Sequence, residues 1–110
     1  MGILSKTKIA LSENDIKKQV KDYLTFTGWF HFHLMAGSLS YPGLPDRIAV
    51  KDGKVLFIEI KKPSGGVQSA YQKEFQRQIE AHGGEYLLIH NLDELINCLR
   101  ENAGQKEDKK

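Results

Sequence analysis

The alternation of apolar and polar positions divides the chain into a series of short elements. SENDIKKQVKDYLTF carries Ile16, Val20, Tyr23 and Leu24 at helical spacing, which predicts an amphipathic helix. Ser12 is placed to cap it, and Asp15 three residues on completes a capping-box-like start with Asp in place of Glu. Gly28 ends this helix. WFHFHLM, over Trp29–Met35, alternates aromatic or apolar residues with His31 and His33 and reads as a strand. AGSLSYPGLP is rich in Gly, Ser and Pro and reads as a loop. Arg47–Lys51 forms a short strand, Asp52-Gly53 a tight hairpin turn, and Lys54–Lys61 the return strand. After the loop KPSGGVQS, Ser69–His82 reads as a helix with Tyr71, Phe75 and Ile79 on one side, stopped by Gly83 and Gly84. Tyr86–His90 is a buried strand. Asn91 caps a last helix whose apolar side carries Leu92, Leu95, Ile96 and Leu99. The order α-β-β-β-α-β-α describes an α/β domain: a meander of strands, then a β-α-β crossover, giving a mixed sheet flanked by helices.

One strand breaks its own pattern. VLFIEIKK runs apolar from Val55 to Ile58, and Glu59 interrupts it before Ile60 resumes. Both faces read as buried, so a carboxylate there is costly unless a charge meets it. Residues two apart share a strand face, so Glu59 stands beside Lys61. Pairing outward from the Asp52-Gly53 turn brings Asp46, in PDRIAV, beside Glu59. Two carboxylates and a lysine thus converge at one end of the hairpin.

Close carboxylates favour a shared proton or a cation. Mg²⁺ takes oxygen ligands, commonly one or two carboxylates with water and phosphate completing the shell. A lysine beside them can orient a water or hold a phosphate. The set suits metal-assisted phosphodiester hydrolysis. A plain Glu59–Lys61 salt bridge is the simpler alternative, since E-x-K is a common tripeptide. Glu13 follows the core stripe of the first helix near its N-terminus, where the helix dipole already accounts for a carboxylate.

Composition changes this picture little. The 110 residues fit one small domain, with 27% charged and 40% hydrophobic positions, as in ordinary soluble proteins. The single cysteine, Cys98, excludes an intrachain disulfide and a Cys-rich zinc site, and suits a reducing cytosol. No apolar run approaches the ~20 residues needed to cross a bilayer. Net charge is +2, so the clustering of lysines matters more than their total. Lys17, Lys18, Lys21, Lys61 and Lys62 are candidates for one phosphate-facing side. GQKEDKK is charged, lacks apolar residues and is expected to be a disordered tail.

Pro45-Asp46 followed by Glu59-Ile60-Lys61 resembles the PD-(D/E)XK nuclease superfamily. The wider context resembles its virus-type replication-repair nuclease (VRR-NUC) branch. That context is an early helix with Glu13, GSLSYPGLPD before the aspartate, the VLFIEIKK strand, and the helix in VQSAYQKEFQRQIEAHGG. The resemblance implies a restriction-endonuclease-like core over 12–100, with an N-terminal arm over 1–11 and a tail over 101–110. It implies Asp46, Glu59, the Ile60 backbone carbonyl and Glu13 as ligands to Mg²⁺ or Mn²⁺. Asp46, Glu59, Lys61 and Gln72 are implied as catalytic residues, with Gln68 a competitor for the role of Gln72. Lys61 is expected to position water and stabilise developing charge. Lys62, Tyr41 and Lys17 are expected to contact DNA.

The implied function is a metal-dependent endodeoxyribonuclease, standing alone, that resolves four-way (Holliday) junctions as a homodimer. Branched DNA is its expected partner, with no membrane and no small-molecule cofactor. The expected setting is the cytoplasm of a bacterial or phage-infected cell. The alternatives are a flap or single-strand nuclease of replication repair, and a non-catalytic DNA-binding module whose acidic site is structural.

Overall fold

The computed structural model describes residues 10–108, with side chains through Glu101. The expected N-terminal arm therefore lies, up to residue 9, outside the described residues. The elements are α1 (Glu13–Phe26), β1 (Phe30–His33), β2 (Arg47–Lys51), β3 (Lys54–Ile60), α2 (Ala70–Ala81), β4 (Glu85–Ile89) and α3 (Leu92–Asp108). This is the expected α-β-β-β-α-β-α order. Among the described residues no helix is long and apolar enough to cross a membrane.

The four strands form one sheet in the order β1-β2-β3-β4. β1 and β2 pair antiparallel, as do β2 and β3, while β4 runs parallel to β3 after the α2 crossover. The β2–β3 hairpin closes at Lys51↔Lys54. Its two central residues, Asp52 and Gly53, both take positive φ, at 52° and 79°. Such φ values at both central positions match the right-handed twist of the strands, and so the turn sets the register.

That register sorts the side chains. Ala49, Leu56, Ile58, Ile60 and Ile89 lie in one core cluster with Ile16, Val20 and Leu24 of α1 and Leu95 of α3. The other face carries Phe57 and Tyr86, on which Phe75 of α2 packs with ring centroids 5.8 and 6.3 Å away. Helix starts follow the expected chemistry. Ser12 accepts from the Asp15 N–H while Asp15 accepts from the Ser12 N–H. Asn91 accepts from the Glu94 N–H at the start of α3.

Three details depart from the sequence pattern. Tyr71 shares the helical spacing of Phe75 but is exposed. The strand expected over Trp29–Met35 shrinks to Phe30–His33 at the sheet edge. The α3 backbone stays helical through Asp108, where composition predicted a disordered tail. Local i→i−4 hydrogen bonds need no apolar partner, which composition does not register.

Candidate active site

The site sits where β2 begins and β3 ends. Asp46 immediately precedes β2, and the pairing Arg47↔Ile58 continues outward to place it opposite Glu59. Two hydrogen bonds pin it there. Its N–H donates to the Ile58 carbonyl at 3.0 Å. Its Oδ2 accepts from the Ile60 N–H at 2.6 Å. Buried Pro45 fixes the approach to this corner.

Glu59 is the only buried charged or polar residue among those described, at 1% exposure. Its Oε1 accepts from the Tyr86 hydroxyl at 2.7 Å. Its Oε2 lies 3.1 Å from Lys61 Nζ. Burial pushes its carboxyl above the ordinary value, the Tyr86 and Lys61 donors pull it back, and the Asp46 charge adds to the upward push. No buried side-chain polar atom among the described residues lacks a partner. The buried carboxylate that looked costly in the sequence is thus held by a phenol and an ammonium.

Tyr86 is the residue that sequence reasoning missed. Burial, then the hydrogen bond to Glu59 and its charge, push the phenol well above its ordinary range, and nearby Gln68 opposes this. Tyr86 therefore stays a donor. The available signal was a tyrosine in an otherwise aliphatic strand, since a buried phenol needs a partner.

The neighbouring carboxylates share Lys17. Its Nζ lies 3.2 Å from Glu13 Oε2 and 3.2 Å from Asp46 Oδ1. Burial pulls this ammonium down, but Asp46 and Glu13 outweigh it and hold it above the ordinary value. Lys17, expected to contact DNA, is the counter-ion that Glu13 and Asp46 share. Glu13 reaches Asp46 only through it. Among the described residues no group of three or more His, Cys, Asp or Glu side chains stands ready to hold a metal. The expected Glu13–Asp46–Glu59 cluster is therefore not drawn together, because Lys17 and Lys61 stand among the carboxylates.

The donor chemistry still fits a hard cation. Asp46 and Glu59 each have one oxygen engaged by a fixed donor, the Ile60 N–H or the Tyr86 hydroxyl. Each turns the other oxygen toward a lysine ammonium. Two oxygens from two carboxylates match what Mg²⁺ asks of a protein.

The glutamines sort differently from expectation. Gln72 accepts the Ser69 N–H with its carboxamide oxygen and completes the capping box of α2. Helix-start geometry commits that oxygen to the backbone. Gln68 instead donates to Gln76 at 3.0 Å and lies near enough to the Tyr86 phenol to oppose the rise of its pKa. Tyr41 is exposed and stacks edge-on to Phe75, with centroids 5.8 Å apart. Lys62 is exposed one residue beyond the Glu59–Lys61 pair. Cys98 is a free, half-buried thiol on α3.

On the α1 side of Asp46 a cleft of about 320 Å³ is lined by Lys17, Lys18, Lys21, His33, Asp46 and Arg47. Arg47 Nη1 lies 2.8 Å from His31 Nδ1, and His31 Nε2 lies 2.8 Å from the Thr25 hydroxyl. A guanidinium only donates, so Nδ1 accepts and Nε2 carries the proton of a neutral ring. Burial, then the charges of Arg47 and Lys21, hold the His31 pKa below its ordinary value, which agrees.

No family model matches the chain, and no curated protein matches it. Two solved structures share its fold. One, described as a "VRR_NUC domain", superposes with a TM-score of 0.70 at 16% identity, covering 82% of this chain and 97% of its own. The other, a "VRR_NUC domain protein", gives a TM-score of 0.70 at 20% identity, covering 84% of this chain and 88% of its own. The chain therefore has the α/β fold of VRR_NUC domains, over nearly their whole length.

Proposed function

We propose that this chain is a VRR-NUC nuclease: a divalent-metal-dependent endonuclease that hydrolyses DNA phosphodiester bonds. One observation carries the reading. Asp46 and Glu59 meet across a hairpin end, each with one oxygen pinned and the other turned to a lysine. A salt bridge alone requires no second carboxylate at that corner. The shared fold with VRR_NUC domains supports the same conclusion.

Asp46 Oδ1 and Glu59 Oε2 would hold Mg²⁺ or Mn²⁺, with the Ile60 carbonyl as a further oxygen ligand and Glu13 beyond Lys17. The ion would stabilise charge on the phosphate and lower the pKa of a bound water. Tyr86 holds Glu59 in orientation. Lys61, released from Glu59, would orient water and meet negative charge as it develops on phosphate oxygen. Lys17 would neutralise whichever of Glu13 and Asp46 the ion leaves unmatched.

The substrate in this reading is branched DNA, in the first place the four-way junction, cut by a homodimer. A two-fold pair of small domains presents two active sites to opposing strands. The purified chain incubated with labelled junction, flap, splayed and linear duplex DNA plus Mg²⁺ or Mn²⁺ tests it, with Glu59→Ala as control. Paired symmetric nicks in the junction, absent from the control, are expected. Preferred cutting of the flap would replace junction resolution with flap processing. Cleavage that persists in Glu59→Ala would remove the site assignment.

A further inference from the structure

The basic cleft beside Asp46 shares Lys17, Asp46 and Ile60 with the chemistry above, but its remaining lining residues have no role in it. Lys18 and Lys21 reach it from α1, His33 from the end of β1, and Arg47 from the start of β2. Charge accounting separates these residues. Lys18 is paired with Asp22 at 2.9 Å along the helix. Lys17 is matched by Glu13 and Asp46. Lys21 makes no ion pair among the described residues. Arg47 follows Asp46 in sequence, but its side-chain hydrogen bond goes to His31.

That partner matters. A carboxylate would hold Arg47 and cancel its charge. A neutral imidazole holds it without forming an ion pair. Thr25 accepts the proton of the far ring nitrogen and fixes the ring in turn. Thr25–His31–Arg47 is thus a relay that aims a guanidinium without an ion pair among the described residues into a concave site. Guanidinium geometry matches phosphate oxygens in pairs.

We propose that this cleft is the lane for the DNA strand flanking the scissile bond, with Arg47 and Lys21 as its phosphate contacts and His31 as the residue that positions Arg47. The lane rests on the nuclease reading for its ligand, since it opens onto Asp46. It also divides the lysines that the sequence grouped together. Lys21 belongs to the lane, Lys17 and Lys61 to the carboxylates, and Lys62 lies outside it.

Binding without cleavage tests it. The full chain is titrated into fluorescein-labelled junction DNA in EDTA, by anisotropy, over a series of salt concentrations. Lys21→Ala and Arg47→Gln should each raise Kd roughly tenfold and lower the log Kd–log salt slope by about 1. His31→Leu should weaken binding in the native background and add little to Arg47→Gln; a merely structural role would add in full. Because Lys21 is exposed and unpaired, Lys21→Ala folds as the native chain does, which thermal melting verifies. Native Kd and slope in both Lys21→Ala and Arg47→Gln overturn the lane. If those variants also still cut DNA, the nuclease reading survives that failure. A native chain that binds with the expected slope changes but never cleaves with metal keeps the lane and overturns the nuclease reading.

Discussion

The Tyr86 hydroxyl donates to Glu59 Oε1 at 2.7 Å, joining two residues on neighbouring parallel strands. This bond leaves only one Glu59 oxygen to face Lys61. It makes the buried carboxylate an oriented group.

Removing that donor tests its weight. Tyr86→Phe keeps the ring against Phe75 and leaves Oε1 without its partner. The loss should cost about 1–3 kcal/mol in urea unfolding, since it strands a buried acceptor. Activity should fall about 10–100-fold, as when partners behind a metal ligand are lost. Unchanged stability and rate would show that the bond is dispensable.

Glu59→Gln separates folding from chemistry. The amide keeps an acceptor for Tyr86 and removes the buried charge. Stability without metal should stay level or rise, because a buried ion pair is weak support for a fold. Cleavage should fall on the order of a thousandfold or more, matching several kcal/mol of metal-borne stabilisation. Mg²⁺ should raise the Tm of the native chain by mass action and raise that of Glu59→Gln less. An equal rise in both would remove Glu59 from the metal site.

Two glutamines should part company. Gln72→Ala breaks the capping box and should cost about 0.5–1 kcal/mol in stability while leaving kcat unchanged. Gln68→Ala should lower kcat severalfold through Tyr86, with little effect on α2. Steady-state kinetics beside urea unfolding checks both, and the reverse pattern would restore Gln72 to the site.

The acid limb of stability has a readable contributor. Arg77 and Gln78 donate to Glu74 on the exposed side of α2 and lower its pKa from 4.5 to about 2. A depressed carboxylate contributes stability that is present above its unfolded pKa and lost as pH falls through its folded one. Urea unfolding of Glu74→Gln should therefore decline less steeply than the native chain between pH 4.5 and about 2. Near neutrality the two should lie close together, because exposed pairs are weak. Parallel curves across the acid window would remove Glu74 from the account.

Local rules carried much of the fold. Apolar spacing placed the helices and strands, and the Ser12 and Asn91 caps formed as their chemistry requires. The Asp52-Gly53 turn set a register from which the meeting of Asp46 and Glu59 follows by counting. Strand phase put Glu59 beside Lys61. These features depend on residues close in sequence or joined by one tight turn.

What crosses between distant elements was decided by the tertiary structure. Tyr86 reaches Glu59 only because α2 carries β4 back parallel to β3. Gln72 is held at the start of α2, because the capping box engages its oxygen. Lys17 became a counter-ion once packing of α1 laid it against Asp46. His31 holds Arg47 only because β1 pairs with β2. A sequence names the groups available for such contacts; only packing decides which of several competing partners each one meets.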